Sequence, residues 1–229
     1  MSGLAHFAIS LKDAANPPVE ALKRAFASFT NLTEGDAVRL AGGAHGFLLR
    51  QLRRDSAQAL QRDLHDAGIA TVLVNEEQIP QLPGGKALQR LGIAPESLTA
   101  YDVTGRTRDI GWGDLRLVAA GAVRSPEKAA AQLVLEILLT DGLTRFQIQA
   151  EGFPFKYLID RPDLSLAQKF VWLVREICGH APNAVINEGA RAYVEGREPV
   201  GHYNTPQALA EEMVWLLWQA QQKAPDRKP

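Results

Sequence analysis

Apolar positions along this chain follow two rhythms, and the change between them divides it. In the first 75 residues short apolar runs alternate with stretches of helical spacing, each bounded by turn residues. Leu4–Leu11 reads as a strand. In N-P-P-V-E-A-L-K-R-A-F, Asn16 is expected to cap a helix whose first positions are prolines, where the missing N–H costs nothing. Leu22, Ala25, Phe26 and Phe29 then share one face. Thr33 with Asp36 predicts a second, short helix ending at Gly42-Gly43, and Phe47–Leu52 a second strand. Asp55 with Gln58 opens a third helix, which Gly68 closes in the left-handed conformation, and Thr71–Val74 is a third strand. The order is β-α-α-β-α-β.

From Glu76 to Ser97 prolines and glycines accumulate, which predicts a linker with one helical turn near Ala87–Leu91. Beyond it strands dominate: Leu98–Val103, Thr107–Trp112, Leu115–Val123, Ala131–Leu139, Leu143–Ala150 and Phe155–Ile159. Their short connections argue for antiparallel pairing, since parallel neighbours need long crossovers. Ser165 with Gln168 then forms a capping box before the stripe Leu166, Phe170, Leu173, Val174 and Ile177, with Gly179 and Pro182 as stops. A-V-I-N-E-G-A-R-A-Y-V-E-G reads as a hairpin, and Thr205-Pro206 opens a last helix to about Gln222. The expected fold is α+β: a small domain over 1–75, a linker over 76–97, and an antiparallel barrel-like domain with a capping helix and a C-terminal helix over 98–229.

Three packing patterns, A-L-K-R-A-F, L-T-E-G-D-A-V-R-L-A and A-Q-A-L-Q-R-D-L-H-D-A-G-I, carry a resemblance. Over Phe7–Asn75 the element order and spacing resemble the C-terminal domain of the bacterial ribosomal stalk protein. The resemblance implies a bacterial source and a domain that docks translation factors through basic residues on its first two helices. Lys23 matches one such lysine, whereas Phe26, Gly35 and Val38 stand at other basic positions of that pattern. Leu98–His180 resembles, in element order alone, a pleckstrin-homology-like barrel in which the helix plugs one open end.

Composition narrows the chemistry. The 229 residues are 46% hydrophobic with a net charge of -1, so no global field attracts nucleic acid or an anionic membrane. A single cysteine, Cys178, leaves no internal disulfide and no Cys-rich zinc site. The N-terminal stretch lacks the pattern of a signal peptide, and no apolar run reaches the ~20 residues of a membrane span. These features point to a soluble, cytoplasmic chain. G-W-G-D-L-R, Gly111–Arg116, has two glycines of a dinucleotide fingerprint but Arg116 in place of the third, and it reads as a hairpin bend. L-P-G-G-K-A-L, which places Lys86 beside two glycines, reads as a turn rather than an anion nest.

His6, His45, His65, His180 and His202 are scattered, Cys178 reads as a core residue, and no serine lies in a nucleophile elbow. No catalytic, cofactor-binding or metal-binding residue is assigned, and no cofactor is expected. Candidate partner contacts are Trp215, which falls among polar residues of the last helix, Trp218, and Phe153 from the aromatic group Phe153, Phe155 and Tyr157. The reading is a non-enzymatic interaction or scaffold protein with a protein partner; the alternative is a hydrolase or transferase with a site assembled at the domain junction.

Overall fold

The computed structural model describes residues 5–13, 15–43, 45–125, 128, 130–156, 163–197 and 203–223. It is a mixed α+β chain of two compact units, Met1–Gln81 with Ala210–Pro229, and Leu82–Leu209. The break at Gln81 lies inside the segment expected as a linker, and the chain from Ala210 onward groups with the first unit. Among the described residues no helix is long and apolar enough to cross a membrane.

The first unit runs β1 (His6–Leu11), α1 (Val19–Phe26), α2 (Glu34–Gly43), β2 (Phe47–Arg53), α3 (Arg54–Asp66) and β3 (Thr71–Asn75). β1 is central and antiparallel to both neighbours, in the order β2-β1-β3. Ile9, Leu22, Phe26, Leu60 and Leu64 form its core. α2 begins as its sequence predicts: the Thr33 hydroxyl accepts the Asp36 N–H at 3.2 Å, and the Asp36 carboxylate accepts the Thr33 N–H at 3.0 Å. Gly68 ends α3 at φ +85°, with the Ile69 N–H donating to the Leu64 carbonyl at 2.8 Å. Two caps differ from expectation. Pro18, not Asn16, occupies the α1 cap, and α3 starts directly from β2 with Arg53 at its cap, which leaves Asp55 in the first turn.

The second unit comprises β4 (Gly85–Ile93), β5 (Ser97–Asp102), β6 (Thr107–Gly111), β7 (Leu115–Val123), β8 (Gln132–Leu139), β9 (Arg145–Gln149), α4 (Leu166–His180), β10 (Val185–Ile186) and α5 (Glu188–Glu195). α6 (Pro206–Lys223) follows, its start capped by the Thr205 hydroxyl, which accepts the Ala208 N–H at 3.1 Å. The strand order is β10-β7-β8-β9-β4-β5-β6. Consecutive strands within this order pair antiparallel, but β4–β9 and β7–β10 are parallel, which corrects the all-antiparallel expectation.

G-W-G-D is a bend but not a hairpin. Trp112–Asp114 makes one 3-10 turn joining β6 to β7, which stand five places apart in the sheet. A flat sheet would separate them by about 24 Å. The four residue steps from Gly111 to Leu115 span at most about 14 Å, so the sheet must curl. Arg108 on β6 donates to the Thr144 hydroxyl at 2.9 Å, and the Thr140 N–H to the Asp114 carbonyl at 2.8 Å, bringing both strands to the β8–β9 turn. Among the described residues no ladder joins β6 to β7 or β10, so the expected barrel is an open, curled sheet. Its concave core includes Leu98, Ile110, Leu135, Ile137 and Ile148, against Phe170, Leu173, Val174 and Ile177 of α4. The Ser165–Gln168 capping box is present, while Leu166 stays exposed.

Other differences have local causes. The expected linker contains β4, and its one helical turn is instead the 3-10 turn Glu76–Gln78. The expected hairpin after Ala184 is β10 followed by α5: the Asn187 side chain caps the helix by accepting the Ala190 N–H at 2.9 Å, and Gly196 ends it at φ +76°. Asn187 is fully buried. Its Oδ1 also accepts the Ala120 N–H at 2.9 Å, and its Nδ2 donates to the Ala120 carbonyl at 3.1 Å and the Tyr203 hydroxyl at 2.8 Å. One side chain thus fastens α5 to β7. Phe155 and Lys156 are not in a strand, and Tyr157–Ile159, like His202, lie outside the described residues.

Candidate functional site: a groove where the second sheet opens

The site begins with a conflict between spacing and strand geometry. Leu88 and Leu91 both face the core, at 7% and 3% exposure, although residues three apart in a regular strand point to opposite faces. β4 resolves this with an irregularity: its register with β5 passes from Leu88↔Asp102 to Arg90↔Tyr101, which leaves Gln89 as an extra residue. Gln89 and Arg90 are consequently both exposed. The same irregularity turns β4 from one neighbour to another. Its parallel register with β9 ends at Ala87↔Gln147, and from there it follows β5. β9 continues to Gln149 paired with β8 alone. The ladder opens, and a groove of about 720 Å³ lies between the diverging strands.

Its walls are polar, with an aromatic side. The Arg90 guanidinium lies over the Tyr101 ring, 3.7 Å from the centroid. Gln147 and Gln149 alternate with buried Phe146 and Ile148, so both amides are on the outer face of β9. Gln147 is oriented from behind. Glu136 on β8, only 3% exposed, accepts the Gln147 Nε2 at 2.8 Å and the Arg145 Nε at 3.0 Å. The Gln147 amide turns its NH2 to Glu136, which leaves its carbonyl oxygen outside this pair. Burial pushes the Glu136 carboxyl up, against the pull of Arg145 and Gln147.

Both acids lining the groove already accept hydrogen bonds from their own neighbours. Asp102 accepts the Thr104 hydroxyl at 2.7 Å and the Thr104 and Arg106 N–H groups at 2.8 and 3.0 Å. The Thr104 hydroxyl is the main reason its carboxyl is held below the ordinary range. Glu151 accepts Lys128 at 3.0 Å and Gln132 at 2.8 Å and is likewise lowered, foremost by Lys128. Lys156 completes the rim and is exposed.

Of the three aromatic residues singled out in the sequence, Phe153 alone lines this groove. It is 8% exposed and packs edge-on against Phe155 at 5.1 Å. Trp215 and Trp218 belong to the first unit and are buried there. The Trp215 indole N–H donates to the Ser10 hydroxyl at 3.0 Å, and its ring covers Gly46, which sits at φ +98° and has no room for a methyl group. Trp218 packs beside Phe47, with ring centroids 6.1 Å apart. These indoles are packing residues of the first unit.

No family model matches this chain, and no curated protein or solved structure is significantly similar to it.

The remaining sequence candidates have local roles. Burial pushes the Cys178 thiol up to about 11, far from a reactive thiolate. His180 stacks on Trp112 at 4.7 Å and lies 3.2 Å from Glu176. His45 is lowered by burial, with Glu212 and Glu211 pulling it up. Among the described residues no three His, Cys, Asp or Glu side chains gather into a metal-binding group. P-G-G-K leads into β4, with Gly85 and Lys86 in the strand. Gln89, Arg90, Tyr101 and Gln147 were not singled out. The F-Q-I-Q alternation does mark two outward glutamines, but nothing local places Arg90 on Tyr101.

Proposed function

We propose that this chain is a non-catalytic interaction module that binds an extended segment of a partner protein in the groove beside β4. The observation that carries the reading is the end of the β4–β9 ladder at Ala87↔Gln147, which leaves one side of β9 free over Ile148 and Gln149. A strand edge of this kind offers main-chain hydrogen bonds to an incoming chain, with neighbouring side chains supplying selectivity. Amide side chains suit the role, because they donate and accept as peptide groups do. Phe153 and Tyr101 supply apolar surface beside them.

Panning the intact chain against a random peptide display library tests the reading. Enriched peptides should slow hydrogen exchange at Leu88–Arg90 and Ile148–Gln149. The reading falls if nothing is enriched, or if the enriched peptides protect other segments and leave these unchanged.

A further inference from the structure

The groove is unevenly charged once internal pairings are counted. Glu151 is paired with Lys128 at 3.0 Å, and Asp102, which stays ionised, has the Arg106 charge acting on its carboxylate, whereas among the described residues neither Arg90 nor Lys156 has a carboxylate partner. Arg90 is also held in a particular way. At 3.7 Å from the Tyr101 centroid, the ring covers one face of the guanidinium, and a planar guanidinium keeps its five N–H donors in its own plane, around the edge. Stacking therefore restricts the side chain without using its donors. The resulting fork fits a carboxylate through two parallel hydrogen bonds, which a lysine ammonium cannot reproduce.

We propose that the groove is specific for acidic segments, reading a glutamate or aspartate side chain of the bound peptide through the edge of Arg90. Lys156 adds a second, less directional attraction for the same charge. Gln147, its amide fixed by Glu136, offers a carbonyl oxygen to a donor of that segment. The inference rests on the peptide-groove reading and adds the chemistry of the occupant.

The test is an NMR titration of the full chain, reading the Arg90 side-chain Nε–H and the Gln89 and Gln149 amides. The probes are acetyl-Val-Glu-Val-amide, acetyl-Val-Gln-Val-amide and inorganic phosphate. The glutamate peptide should shift all three signals and bind about fivefold or more tightly than its glutamine counterpart. Arg90→Lys and Arg90→Gln should reduce it to the level of the glutamine peptide. Both variants should keep the wild-type melting temperature, since Arg90 is exposed. Tyr101→Leu, which releases the guanidinium from its ring, should weaken the glutamate peptide alone.

Equal binding of both peptides at Gln89 and Gln149 would overturn the acidic preference while leaving the groove as a peptide site. Phosphate shifting Arg90 as strongly as the glutamate peptide would overturn the peptide as occupant in favour of a small anion. Silence at all three signals with either peptide would sink both readings.

Discussion

Gly189 and Gln51 show that a single backbone position can make a substitution harmful or helpful. A methyl group on Gly189 would land on the Ala120 carbonyl oxygen, the same oxygen that accepts the Asn187 amide. The helix would have to lift off the strand, loosening the bonds of a fully buried asparagine. Gly189→Ala should therefore cost about 3 kcal/mol or more, seen in urea unfolding as a lower midpoint with an unchanged slope. Gln51 is the reverse case. It sits at φ +60°, a conformation in which a side chain costs about 1 kcal/mol. It is held there by Glu76, which accepts the Gln51 N–H at 2.8 Å while pairing with Arg50 at 2.6 Å. Burial works against the Glu76 charge, but these bonds win and keep its carboxyl below the ordinary value. Gln51→Gly retains the N–H and removes the strain, so it should raise unfolding free energy by up to about 1 kcal/mol. An unchanged or lower midpoint would show that the Gln51 side chain contributes more than its backbone costs.

At the scale of elements, the β8–β9 turn has the clearest consequence. Asp141 accepts the Leu143 and Thr144 N–H groups at 2.8 and 2.9 Å, the Thr144 hydroxyl at 2.8 Å and Arg108 of β6 at 3.3 Å. Burial would raise its carboxyl, but these bonds outweigh burial and hold it at about 2, below the ordinary 3.8. Because the folded value is the lower one, this stabilisation is fully present above about pH 4 and disappears as pH falls toward 2. Melting temperatures recorded from pH 5 to 2 should decline less steeply in Asp141→Asn than in wild type; parallel declines would remove Asp141 as a cause.

Elements whose signals are local were legible in the sequence. β7 is found over the predicted residues, and the Thr33–Asp36 and Ser165–Gln168 starts form as their side chains dictate. β4 was not legible, because Leu88 and Leu91 have helical spacing and only an irregular strand can bury both. α5 was hidden because its eight residues are short for a helix and carry Gly189 in the first turn, and its start depends on Asn187 meeting distant Ala120. The antiparallel argument held for β4–β5, β5–β6, β7–β8 and β8–β9, but not for β6 and β7, which a short turn joins without pairing them. It failed for β4–β9 and β7–β10, partners far apart in the chain, where connection length says nothing. Part of the candidate site was hidden for the same reason: alternation exposes Gln147 and Gln149, whereas the Arg90–Tyr101 stack depends on a register that no local pattern encodes.

At the scale of the whole molecule, the first unit is completed by the end of α6. The chain has four tryptophans, Trp112, Trp172, Trp215 and Trp218, and none lies in 1–81. A fragment 1–81 is thus silent in tryptophan fluorescence, while a synthetic 206–223 peptide carries both indoles of the first unit. Mixing the two should give a saturable blue shift as Trp215 covers Gly46, and Gly46→Ala in the fragment should abolish it; an unshifted spectrum would mean the fragment cannot accept the helix. The bond between Ser10 and Trp215 spans 205 positions. At a synthesis rate of about 5–20 residues per second, roughly 10–40 s pass between the making of one and the other. Throughout that interval the nascent sheet has a bare glycine slot and a serine oxygen without its indole donor, the period when a holding chaperone would matter most. The unit begun first is the one finished last.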